Sequence, residues 1–98
     1  MTDFMENAEE CLNMSCVNAN IDVIDSQIVA LIGQRLAYAR RTRELRGSHV
    51  DIGAQITVDP ILNKVARQAE VMGYSPLIAR SIFAAILLQT NLTQQLPR

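Results

Sequence analysis

The sequence predicts an all-α fold of three helices, the first much longer than the others. Three observations predict it. Apolar residues recur in steps of three and four at Val17, Ile21, Ile24, Ile28 and Leu31, and the line continues to Tyr38 and Leu45. Two later stretches open on helix-starting pairs, Asp59-Pro60 and Ser75-Pro76. The one run with strand propensity, Ile56-Thr57-Val58, has no visible strand to pair with.

The first helix is expected from an N-cap at Ser15 to Arg46. Gly47 supplies the stop, and cations in the last turn suit the helix dipole. The preceding residues, with Asp3, Glu6, Glu9 and Glu10, are polar and read as a flexible leading segment over 1–14. Gly33 lies inside the helix at a cost of up to about 1 kcal/mol relative to alanine. About 30 helical residues span roughly 45 Å, whereas a compact chain of this size has a radius of gyration near 13 Å. Such a helix must protrude or pack against a second copy, so a homodimer is expected.

Residues 48–58 read as a connection containing Gly53 and His49, long enough to suggest a lid. The bland alternative for His49 is a solvated loop side chain. The second helix follows, with Asp59 as N-cap, a buried stripe of Leu62, Val65, Ala66, Ala69 and Met72, and Gly73 as its stop. The third starts at Ser75-Pro76 and shows a wide apolar face of Ile78, Ala79, Ile82, Phe83 and Ile86, which Thr90 and Gln94 continue with polar groups; Pro97 marks its end. The whole chain of 98 residues reads as a single domain.

Composition removes several function classes. The net charge is -1, and few aromatic residues accompany the cations, so nucleic acid is not an expected partner. No basic region followed by an apolar run opens the sequence and no unbroken apolar run approaches a membrane span, so the expectation is a cytoplasmic chain outside the membrane. The two cysteines, Cys11 and Cys16, lack the further ligands of a zinc site. If the segment is helical, their spacing of five turns them to different faces, so free thiols are the expected reading and a disulfide is the alternative.

The chemical signal is a pair of misplaced cations. Arg35 stands where the apolar stripe calls for another hydrophobic residue, and Arg46 follows eleven residues later. Eleven helical residues are three turns plus roughly 20°, so the two guanidiniums share a side. Cations on a buried side need an anionic partner, and guanidinium suits planar, bidentate carboxylate recognition. With Thr90 and Gln94 they form a set of hydrogen-bond donors and no nucleophile. Ser48, His49 and Asp51 are sequence neighbours rather than a triad, and no metal or phosphate motif occurs. Such a set binds a small anion, or stabilises charge in a reaction needing only positioning and electrostatics. The alternative is structural: arginine stems covering apolar surface, with heads meeting acidic residues of another helix.

The stretch IDVIDSQIVALIGQRLAYAR, with a cation eleven after Arg35, resembles the first helix of the all-helical chorismate mutases. ECLNMSCVNANID upstream and Tyr38 resemble the subgroup that includes isochorismate-pyruvate lyases. VARQAEVMGYSPLIARSIFAAIL, followed by Gln94, is similar to the family's second and third helices, so the resemblance covers most of the chain.

The resemblance implies an intertwined dimer of three-helix chains that binds a dicarboxylate enol-pyruvyl substrate and needs no cofactor or metal. It implies that Arg35 holds a substrate carboxylate and that Arg46, where the family has lysine, meets the ether oxygen and a carboxylate. Gln94 would face the ether oxygen, and Thr90 would stand at a nearby hydroxyl position. Asn18 occupies the position of an arginine donated across the dimer. The arginine and glutamate of helix two have no match, falling on Leu62 and Asn63 in one alignment and on Thr57 and Val58 in another; Lys64 and Arg67 are the nearby cations. The expected function is a diverged chorismate-mutase-like rearrangement of chorismate to prephenate, or of a close relative. The alternatives are isochorismate-pyruvate lyase-like activity, or a non-catalytic binding dimer.

Overall fold

The structure, a computed structural model, describes residues 8–46 and 58–95. They form three helices, α1 (Met14–Arg46), α2 (Val58–Met72) and α3 (Pro76–Gln95), with no strand among the described residues. The chain divides into two compact units, residues 1–38 and 39–98, and the boundary falls within α1. The expected stop at Gly47, the 48–57 connection with His49 and Gly53, and Pro97 lie outside the described residues.

The start of α1 differs from expectation. Asn13, not Ser15, is the cap: its Oδ1 accepts the Cys16 N–H at 2.9 Å, and its carbonyl accepts the Val17 N–H at 3.2 Å. Asparagine caps as well as serine does, and here it stands where its side chain reaches the third amide of the helix. Ser15 is thereby placed inside the first turn. The expectation of free thiols is also corrected, because Cys11 and Cys16 are joined in a disulfide with Cα atoms 5.6 Å apart. The helical-spacing argument fails because Cys11 precedes the helix, where the backbone folds back through a Cys11 N–H to Ala8 carbonyl bond of 3.2 Å. Closing so short a loop contributes about 2 kcal/mol on the chain-entropy account.

No residue of α1 is buried. The apolar stripe runs along it with the expected period, but Ile21, Ile24, Ile28, Leu31, Tyr38 and Leu45 are all exposed. The covering surface is not supplied among the described residues. Among the described residues a Cβ at Gly33 would meet nothing within 4 Å, so no packing contact there requires this glycine. By length and composition α1 and the Pro76–Thr93 part of α3 are apolar enough to cross a membrane. Helices that bury one face in a soluble protein pass the same test, and α1 carries Asp22, Asp25 and Arg35 among its apolar residues.

The core lies between α2 and α3. Val65, Ala69 and Ala79 are buried, and Phe83 packs against them. The small side chains at Ala69 and Ala79 let the two helices approach closely. Of the expected α2 stripe, Leu62 and Ala66 are half-buried and Met72 is exposed. On α3 Ala79 and Thr90 are buried and Phe83 between them is half-buried, whereas Ile78 and Ile82 are exposed. The apolar face of α3 is wider than the surface α2 can cover, so its other edge stays open. Asp59 and Pro60 fall inside the first turn of α2, which begins at Val58; Asp59 therefore favours the helix dipole from within the helix.

The turn between them forms as read. Gly73 adopts a φ of 94°, and its N–H bonds to the Ala69 and Glu70 carbonyls at 2.9 and 3.1 Å. The Tyr74 N–H reaches back to the Ala69 carbonyl at 3.0 Å, completing a Schellman cap. Ser75 then caps α3, its Oγ accepting the Leu77 N–H at 3.2 Å. A Cβ at Gly73 would have open space, so replacement acts through the backbone alone. Gly73→Ala is expected to lower stability by about 1–2 kcal/mol, read as a shift in the midpoint of urea denaturation without a change in slope.

Candidate anion-binding residues

Arg35 lies in the first unit, on the third quarter of α1. Its side chain is half-buried, as are Leu36 and Ala39 beside it. Among the described residues its guanidinium has no hydrogen-bond or ion-pair partner. Asn18, in the same unit, is exposed. The cations at the end of α1 belong to the second unit, where Arg46 is exposed at the last helical position.

Thr90 is buried on α3, at 6 % exposure. Its Oγ1 donates to the Ile86 carbonyl at 2.7 Å. A hydroxyl carries one proton, and here it is committed within the helix. In this arrangement Thr90 offers a ligand an acceptor rather than a donor. Gln94 lies in the last turn of α3, four residues beyond Thr90.

The sequence reading missed two features. Arg80 Nη1 donates to Asn63 Oδ1 at 2.8 Å, a polar link between α3 and α2 on the flank of their core. Asn63 is the residue that one of the two alignments implied by the resemblance set at the helix-two acid. Its side chain is engaged with a cation of the same unit. No periodic signal marks Arg80, which sits beside the buried Ala79. The other feature is the side chain of Asn20. Its Nδ2 donates to the Cys16 carbonyl at 2.9 Å and lies 3.5 Å from the Sγ of both Cys11 and Cys16. The four-residue step from Cys16 to Asn20 was the available clue, since it places both on one helix face.

Residues 17–95 match the family model described as chorismate mutase type II. The chain belongs to the chorismate mutase family. That membership accounts for the all-helical order. Among curated relatives, the chain is 30 % identical over 83 residues to an isochorismate pyruvate lyase of Pseudomonas aeruginosa, a match covering 85 % of this chain and 82 % of the relative. No solved structure gives a significant match. The family region begins at residue 17, so the disulfide and the Asn13 cap precede it.

Proposed function

We propose that this chain is a pericyclic enzyme of the chorismate mutase type, rearranging chorismate to prephenate or acting on a close chorismate relative. The observation that carries this reading is Arg35, a half-buried guanidinium without a protein partner among the described residues, on the long helix of a chain that belongs to this family. In the proposed site Arg35 holds a substrate carboxylate bidentately. Arg46 replaces the family's lysine as the cation toward the ether oxygen and the second carboxylate. Gln94 meets the ether oxygen as the C–O bond stretches. A reaction of this type needs no proton relay and no cofactor. Its barrier falls because charge developing on oxygen meets donors already in place. Asn18 supplies a neutral side chain where the family places a cation. Each charge-assisted bond missing from the set is worth about 1.5–3 kcal/mol, one to two decades in rate.

A second reaction, cleavage of isochorismate to salicylate and pyruvate, is favoured by the identity to the Pseudomonas lyase. It uses the same carboxylate clamp. A non-catalytic dimer is favoured by Asn18 and by the engagement of Asn63 with Arg80. We further propose that the chain works as a homodimer in the cytoplasm, with the open apolar stripe of α1 covered by the partner.

The test is incubation of the purified protein with chorismate and, separately, with isochorismate, followed by product identification. Formation of prephenate well above the uncatalysed rate is expected. Salicylate and pyruvate in its place would select the lyase reaction. No turnover of either substrate would leave the enzyme reading without support, and chorismate binding in calorimetry would then favour the non-catalytic dimer.

A further inference from the structure

We infer that Cys11–Cys16 is a thiol-exchange site: a disulfide latch on the N-terminus of α1 that small thiols open by attack at Cys11. This rests on geometry outside the anion-binding residues, and it stands whether or not the chain is catalytic.

Both cysteines are half-buried residues, so neither is enclosed in the α2–α3 core. They are not equivalent. Cys11 precedes the helix, whereas Cys16 is the third residue of a helix of 33 residues. The amides of a helix's first turn and the helix dipole favour negative charge there. Cys16 is therefore the sulfur better able to leave as a thiolate, and better leaving groups leave faster. The Asn20 amide, 3.5 Å from both sulfurs, supplies a side-chain donor to the pair. That amide is anchored by its 2.9 Å bond to the Cys16 carbonyl, so it stays beside the sulfurs.

The exchange balances as follows. A thiolate such as that of glutathione attacks Cys11 Sγ and forms a mixed disulfide. The Cys11–Cys16 bond breaks, and its electron pair remains on Cys16 Sγ. A second glutathione thiolate attacks the glutathione sulfur of the mixed disulfide, releasing glutathione disulfide and the Cys11 thiolate. Overall, one protein disulfide and two thiols give two protein thiols and one small-molecule disulfide. The reverse reaction, with glutathione disulfide as oxidant, closes the latch. Opening releases the turn at residues 8–12 from its covalent tie to the first turn of α1. In a reducing compartment such a bond is transient; in an oxidising one it persists.

The experiment uses the full chain purified without reductant. Thiol titration after denaturation should find no free thiol, and two would overturn the latch. Limited treatment with reduced glutathione, acid quenching and peptide mass mapping should place the adduct on Cys11. An adduct mainly on Cys16 would overturn the assigned direction of attack. Hydrogen exchange before and after full reduction should show amides of residues 13–20 exchanging at least about tenfold faster after reduction, with residues 58–95 unchanged. Equal exchange at 13–20 would show that the bond holds nothing in place. The Cys11→Ser/Cys16→Ser double variant should match the reduced wild type; a match to the oxidised protein would overturn the latch as well.

Discussion

Replacing Arg35 by alanine should lower kcat/KM for the chorismate-type substrate by about 10²–10³-fold, the usual effect of losing one aimed donor at developing charge. The size follows from where the guanidinium lies. It is half-buried on a helix face lined with apolar residues, and among the described residues no acid compensates it. A ligand carboxylate placed there gains two parallel charge-assisted bonds in a partly desolvated setting. Arg35→Lys keeps the charge and loses the fork, so it should retain part of the activity, with a raised KM. Arg41→Ala is the control. Arg41 pairs with Glu44 at 3.2 Å on the surface, with both side chains more than half exposed, and its removal should leave the kinetics unchanged. Steady-state kinetics on the three variants, with circular dichroism to confirm the fold, makes the comparison. An Arg35→Ala protein as active as wild type would remove the proposed clamp.

The second large effect concerns α1. Wild-type protein should sediment at twice the chain mass at micromolar concentration, and Ile24→Asp/Ile28→Asp should sediment at once the chain mass. Ile24 and Ile28 are 50 % and 48 % exposed, one helical turn apart on the open stripe. Full burial of isoleucine is worth about 1.5–3 kcal/mol, so each has roughly half of that still to gain. Aspartate forfeits the gain and adds the desolvation of a carboxylate. At two sites per chain, doubled by symmetry, the loss exceeds about 4 kcal/mol, or three decades in dissociation constant. The α2–α3 core contains neither residue and should keep its helicity. Wild type sedimenting as a single chain would refute the assembly.

Helix existence was legible because it rests on local chemistry. The Ser75 cap, the Pro76 start and the Gly73 stop each work within a few residues, and each appears in its expected role. Which apolar residues are covered depends on the partner surface. The short α2 covers Ala79 and Phe83 but not Ile78 or Ile82, and periodicity alone does not separate these. The start of α1 was misplaced because Asn13 and Ser15 are both competent caps, and the backbone path before the helix decides between them. The same path joins Cys11 to Cys16, against an argument that assumed both were helical. Within the candidate site, the charge and position of Arg35 were readable. The hydrogen bonds of Thr90 to Ile86 and of Arg80 to Asn63 were not, since each depends on a rotamer chosen in three dimensions.

The Schellman turn at Gly73 has a consequence for how the chain acquires its structure. It brings Ala69 and Ala79 into one core cluster although they are near neighbours in sequence. Loop-closure entropy rises with the logarithm of loop length, so this contact is among the least costly the chain can form. Chains dominated by such local contacts fold quickly. The α2–α3 hairpin can therefore consolidate early and as a unit. The long helix, with no buried residue of its own, lacks that local reward. In the proposed dimer its consolidation waits for an encounter between two chains, so the late step of folding is bimolecular and its rate rises with protein concentration.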